Sequence, residues 1–139
     1  MNNDEILKNK NVLVTGGAGF IGSALCNQLI NTGCQVYAVD NLINGKKSNL
    51  NLENENLKFI EEDIRNKPVM EDLIEKTDYL FNLACLGVRH SIHSPVESHL
   101  VNADATLNLL KISKENNLKK FIHVSTSEVY GTGKYIPMN

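Results

Sequence analysis

NVLVTGGAGFIGS, residues 11–23, joins a short β-branched apolar run to a cluster of glycines and then to the start of an apolar-periodic stretch. The run 11–16 has the composition of a strand buried on both faces, as in a parallel sheet. In 20–33, Ile21, Leu25 and Leu29 recur at helical spacing, and Gly33 closes the stretch. Between strand and helix, Gly17, Gly19 and Gly22 satisfy G-x-G-x-x-G, and Gly16, Gly19 and Gly22 satisfy G-x-x-G-x-x-G. Such glycines let the chain turn tightly and let backbone N–H groups approach a pyrophosphate, which the positive end of the helix then faces. A glycine cluster can also be an ordinary turn. Its place between a strand and a helix favours the dinucleotide reading.

The pattern outward from this loop alternates. CQVYAVD (34–40), LKFIEED (57–63), DYLFNLA (78–84) and KKFIHVS (119–125) read as further strands. PVMEDLIEK (68–76) reads as a helix with Pro68 in its first turn. Residues 94–117 read as the longest helix, with Ser94 as N-cap and Pro95 at its first position. That helix carries two apolar stripes, one of Val96, Leu100, Ala103, Leu107 and Leu110, the other of Val101, Ala105, Leu109 and Ile112. One stripe suits the sheet and the other suits another helix, as across a homodimer. Alternating strands and helices predict a Rossmann-type doubly wound parallel sheet, an α/β fold. Asp40 ends the second strand, where a carboxylate accepts from the ribose hydroxyls of NAD and repels the 2′-phosphate of NADP. Lys46 and Lys47 keep NADP open as the alternative.

The chain has 139 residues, 42% hydrophobic and 22% charged, with a net charge of −2. That balance predicts one soluble domain over 1–139 and gives no electrostatic reason to expect nucleic acid or an acidic membrane as partner. The three cysteines, Cys26, Cys34 and Cys85, lack C-x-x-C spacing, which argues against a disulfide framework or a zinc site. Two of them fall in apolar surroundings. The polar start MNNDEILKNK is unlike a signal or transit peptide, and no apolar run reaches membrane-spanning length. A reduced cytoplasmic protein is expected. His90, His93 and His99 lack a carboxylate or cysteine partner in the pattern, so no metal is expected. Arg89 and His90 either border substrate phosphates or line a solvated loop.

TGGAGFIGS, VDNLINGKKSNL, EEDIR, FNLAC, VNADATLNLL and VSTSEVYG occur in order, and as a set they resemble the extended short-chain dehydrogenase/reductase superfamily, the NAD-dependent nucleotide-sugar epimerases and dehydratases. The resemblance runs from Asn11 onward. It implies cofactor contacts from Gly16, Gly19, Phe20, Ile21 and Gly22 in the glycine loop. It implies adenosine-ribose contacts from Asp40 and Asn41, with Asn44 and Gly45 near the adenosine phosphate. Asp63 and Ile64 correspond to the adenine contact, and Leu83, Ala84 and Cys85 to the stretch passing the nicotinamide-side ribose. Asn102 resembles the asparagine that steadies the cofactor loop. Ala105-Thr106 stand where the family usually has Gly-Thr, a small departure.

The resemblance further implies transient oxidation at sugar C4. A tyrosinate removes the C4 hydroxyl proton, a lysine one helical turn on lowers that tyrosine's pKa, and a Ser or Thr, here Thr126, bonds the reacting hydroxyl. Tyr130 and Lys134 have the Y-x-x-x-K spacing, but Gly131-Thr132-Gly133 between them disfavours the helix that would bring them together. The family's catalytic pair is expected beyond Asn139, with the substrate domain, so the chain is expected to be the cofactor-binding part of a longer enzyme and inactive alone. Thr126 and Glu128 are the catalytic candidates it contains. Ser127 replaces the first acid of the dehydratases and is a poor proton donor. Three outcomes stay open: 4-epimerisation of a UDP-sugar as the leading expectation, then uronic-acid decarboxylation or 4,6-dehydration. A non-catalytic NAD-binding module is the rival of another class.

Overall fold

Val12, Leu13 and Val14 are all fully buried, and they point alternately into two separate cores. Only a strand covered on both faces does this, because successive side chains leave opposite sides of the pleat. The computed structural model describes residues 6–131, the Glu128 side chain excepted. The strands are β1 (Asn11–Thr15), β2 (Gln35–Asp40), β3 (Leu57–Glu61), β4 (Tyr79–Asn82) and β5 (Lys120–His123). They form one parallel sheet in the order β3-β2-β1-β4-β5. Thr15, the last residue of β1, lies between Val39 of β2 and Asn82 of β4.

Helix α1 (Phe20–Asn31) covers one face, burying Cys26, Leu29 and Ile30 against Val12, Val14, Val36 and Ala38. Its C-terminus is closed by Gly33 at φ +84 and by the Thr32 hydroxyl, which donates to the Leu29 carbonyl at 2.8 Å. The opposite face carries α2 (Lys67–Glu75) and the long helix of residues 95–115, with Met70, Ile74, Val101, Ala105 and Leu109 in its core. The predicted Rossmann-type fold is what forms.

The segment read as a single helix over 94–117 has more structure than its pattern suggests. It consists of α4 (Pro95–His99), a π-helical turn (Leu100–Ala105) and α5 (Thr106–Glu115). A further helix, α3 (Val88–His93), precedes it and buries none of its residues, so no apolar periodicity announces it. Ser94 sits at the N-cap position of α4 without a side-chain capping bond. At φ −137 and ψ 67 it is a junction residue, and its N–H donates back to His90 at 2.8 Å, closing α3. The stripe of Val101, Ala105, Leu109 and Ile112 is buried, whereas Val96, Leu100, Leu107 and Leu110 are between 41% and 72% exposed.

Candidate functional site

The strand order reverses direction at β1: the chain leaves it toward β2 and β3, then returns to its other side as β4 and β5. A crevice opens at such a switch point, beyond the carboxyl ends of the strands. Here it is a cleft of about 800 Å³, within the size range of ligand sites. Of the residues named above as contacts, the glycine loop, Asp40, Asn41, Asn44, Gly45, Ile64, Leu83, Ala84, Cys85, Asn102 and Thr126 all line it.

At its centre the glycine loop passes under the cleft. Gly16 takes φ +68, and a Cβ there would lie 2.9 Å from the Ala84 nitrogen. A Cβ at Gly22 would overlap the Gly16 carbonyl oxygen. The loop is therefore pressed against both the segment that follows β4 and α1 by positions that admit no side chain. Gly19, in extended conformation, is the N-cap of α1, and Ser23 N–H is bonded back to its carbonyl at 3.0 Å. The N–H groups of Phe20, Ile21 and Gly22 have no intrahelical partner and carry the positive end of the helix dipole.

Asp40 closes the β2 side of the cleft and also pins the loop. Its buried carboxylate accepts from Ala18 N–H at 3.0 Å and from Leu42 N–H at 2.8 Å. A Cβ at Gly45 would stand 2.6 Å from Asp40 Oδ1, so glycine is what lets residues 44–46 approach. The Ala18 carbonyl in turn accepts from Asn49 Nδ2 and Lys46 N–H. Lys47, kept as the alternative partner for a 2′-phosphate, pairs with Glu61 at 2.6 Å and lies over the Phe59 ring. Neither it nor Lys46 lines the cleft.

Asp63 stands apart from the cleft lining, which here takes Glu62 and Ile64. Arg65 holds the Asp63 carboxylate through Nε and Nη2, both at 2.8 Å, and Asn41 Nδ2 donates to it at 2.8 Å. The Arg65 guanidinium brings the Asp63 pKa down to about 2, against the opposing effect of burial. Arg65 continues to Glu97 at 3.7 Å, and His90 reaches the same carboxylate at 2.8 Å. His90 is thus engaged on α4 and, with Arg89, lies outside the cleft lining. His99 pairs with Asp104 at 3.6 Å.

The β4–β5 end is held by Asn102. Its amide donates to the Leu86 carbonyl and accepts from Leu86 N–H, both at 2.8 Å, completing a backbone pair as a neighbouring strand would. Asn102 lies inside the π-helical turn, a helix irregularity that frequently marks functional positions. Beneath it, Thr15, Asn82, Thr106 and His123 are joined by hydrogen bonds. Of these, only Thr106 stands out in the sequence, as half of Ala105-Thr106; for Asn82 the available signal was a lone asparagine within the apolar DYLFNLA. Thr126 lines the cleft just beyond β5, while the Glu128 side chain and Lys134 lie outside the described residues. Tyr130 ends a 3-10 turn (Ser127–Tyr130), is 85% exposed, and is followed by Gly131 at φ +71, outside the helical range.

A parallel 3-2-1-4-5 sheet with a glycine cradle at its switch point and an acid closing β2 defines a dinucleotide-binding protein of the Rossmann type. Residues 12–139 match the model of the NAD dependent epimerase/dehydratase family, and the chain belongs to that family. It is 40% identical over 125 residues to the UDP-N-acetyl-alpha-D-glucosaminuronate decarboxylase of Bacillus cytotoxicus, covering 89% of this chain and 39% of that one. It is 37% identical over 135 residues to a UDP-glucose 4-epimerase of Klebsiella pneumoniae, covering 91% of this chain and 96% of the relative. Among solved structures, the UDP-N-acetylglucosamine 4-epimerase of Methanobrevibacter ruminantium, in complex with UDP-N-acetylmuramic acid, superposes with a TM-score of 0.86 at 43% identity. That match covers 95% of this chain and 43% of the other. The chain thus spans about two fifths of the length of the decarboxylase and of the solved epimerase.

Proposed function

We infer that this chain is the NAD-binding part of a nucleotide-sugar 4-epimerase acting on a UDP-sugar. One observation carries the reading: a single cleft is lined both by the dinucleotide cradle at Gly16–Gly22 and by Thr126. The residues fit the cofactor. The cradle leaves no room for a Cβ at Gly16 or Gly22, the α1 N–H groups suit a pyrophosphate, and Asp40 offers remaining lone pairs to ribose hydroxyls. NAD, when bound, supplies the acceptor and donor of a hydride at sugar C4. Thr126 would hold the reacting hydroxyl by hydrogen bonding, and Asn102 would keep residues 83–87 in line beside the ring.

The 139 residues alone would bind NAD without converting a UDP-sugar, because Gly131-Thr132-Gly133 between Tyr130 and Lys134 disfavours the helix that a tyrosine–lysine pair needs. A cytoplasmic location suits its cysteines; none of the helices of the described residues is long and apolar enough to cross a membrane. The exposed stripe Val96, Leu100, Leu107, Leu110 supports a homodimer through the long helix. Decarboxylation of a UDP-uronic acid is the second reading, favoured by Thr126-Ser127-Glu128 and by the 40% identity to a decarboxylase. Calorimetric titration with NAD and NADP, followed by chromatography of UDP-glucose, UDP-N-acetylglucosamine and UDP-glucuronate incubated with the protein, tests all of this. NAD binding without turnover is expected; absence of NAD binding would leave only the fold, and turnover by this chain would overturn its proposed inactivity.

A further inference from the structure

Behind the β4–β5 end of the cleft runs a chain of hydrogen bonds whose direction is fixed at one end. Ala84 N–H can only donate, and it reaches Thr15 Oγ1 at 3.3 Å. Thr15 is fully buried, so its own hydroxyl proton needs an acceptor. Asn82 Oδ1 stands 2.6 Å away. This orients the Asn82 amide, which is 1% exposed, with its oxygen toward Thr15. Its nitrogen then faces Thr106 Oγ1 at 3.1 Å and His123 Nδ1 at 3.2 Å. An amide nitrogen donates and does not accept, so His123 Nδ1 is the acceptor. A neutral imidazole accepting at Nδ1 carries its proton on Nε2.

His123 lines the cleft together with Ala84, Cys85 and Thr126, and among the described residues no protein group pairs with its Nε2. We propose that His123 is a positioning residue for the bound ligand: locked by Asn82 in the neutral Nε2–H tautomer, it donates one hydrogen bond to a ligand oxygen at the β4–β5 end of the cleft. For the ligand's identity this rests on the cofactor reading above; the tautomer does not. Two sources offer a neutral oxygen there, the nicotinamide half of NAD and the sugar of a UDP-sugar. The neutral tautomer matters chemically, since an imidazolium beside a cationic nicotinamide ring would repel it.

Long-range ¹H–¹⁵N spectra of the labelled protein read the tautomer directly. The expected result is an unprotonated Nδ1 and a protonated Nε2 for His123, with tautomers mixing in Asn82→Leu. A dominant Nδ1–H form in the unaltered protein would overturn the proposal. Addition of NAD, then of UDP-glucose, shows which source moves the Nε2–H resonance. In calorimetry, His123→Phe weakens that ligand about three- to tenfold, the worth of one neutral hydrogen bond. His123→Gln, whose amide nitrogen can stand near the Nε2 position, stays within about twofold. Equal weakening in both variants would also overturn the proposal. Should NAD bind while neither ligand moves Nε2, this proposal alone falls. Should neither ligand bind at all, the cofactor reading falls and the ligand half of the proposal with it.

Discussion

Gly22 and Asp40 illustrate how much of the cleft is decided one residue at a time. A Cβ at Gly22 would overlap the Gly16 carbonyl, so Gly22→Ala must push the glycine loop off α1. We expect it to cost about 1–3 kcal/mol in thermal unfolding, as overpacking does, and to abolish NAD binding by calorimetry. Gly87→Ala, where a Cβ would meet nothing within 4 Å, is the control and should cost under about 1 kcal/mol. Cysteine chemistry gives a second test at this scale. Cys26 and Cys34 are buried, and burial pushes the Cys26 thiol up to about 12, while Cys85 is exposed and lines the cleft. Because the thiolate is the reactive form, iodoacetamide should label Cys85 alone in the native protein, and saturating NAD should slow that labelling. Mass spectrometry showing equal labelling with and without NAD would place the cofactor elsewhere. The glycines and Asp40 were legible in the sequence because motif and spacing state their chemistry. That Asp40 also pins Ala18 was not, since a side-chain to backbone bond across 22 positions leaves no periodic trace.

Elements were legible to the extent that burial imposes a period. Strands β1–β4 emerge at their predicted places because their apolar residues face two cores, and α1 and β5 because each gives its apolar residues to one. Helix α3 did not, because nothing in it is buried, and the π-helical turn did not, because it keeps the long helix apolar while shifting one residue out of phase. That shift matters at Asn102, whose amide replaces a strand partner for Leu86. Asn102→Leu leaves a buried N–H and C=O without partners; the expected cost is about 1–3 kcal/mol, with faster amide exchange at Leu86. Unchanged Leu86 exchange would show that the clamp does not hold the loop. Arg65 makes a second tie between elements, joining the ends of β2 and β3 to α4 through Asp63, Asn41 and Glu97. Asp63 titrates near 2 rather than 3.8, so its contribution is present above its unfolded value and lost as pH falls through the folded one. The gap in melting temperature between the protein and Arg65→Gln should therefore be steady above about pH 5 and close between about pH 4 and pH 2. A gap that stays constant through that range would mean the tie adds nothing to stability.

At the scale of the molecule, the sheet explains both what is finished and what is left open. One cleft crosses the switch point, and the long helix buries one of its two apolar stripes while leaving the other exposed. Val101, Ala105, Leu109 and Ile112 enter the core, while Val96, Leu100, Leu107 and Leu110 face outward on a neighbouring line. Scattered exposed leucines need no explanation, but a row along one helix is what an interaction surface would require. Its occupant, in the homodimer proposed here, is the same row on a second copy, related by a two-fold axis so that each stripe meets its equivalent. Sedimentation velocity should then find a dimer whose dissociation constant rises steeply in the double variant Leu107→Glu, Leu110→Glu, because two carboxylates would be buried against their own symmetry mates. Both residues lie outside the core, so circular dichroism and NAD affinity should stay those of the unaltered protein. A protein that sediments as a monomer at every concentration would remove the dimer and leave the stripe for a different partner. A dimer that survives both glutamates would move the interface off this helix.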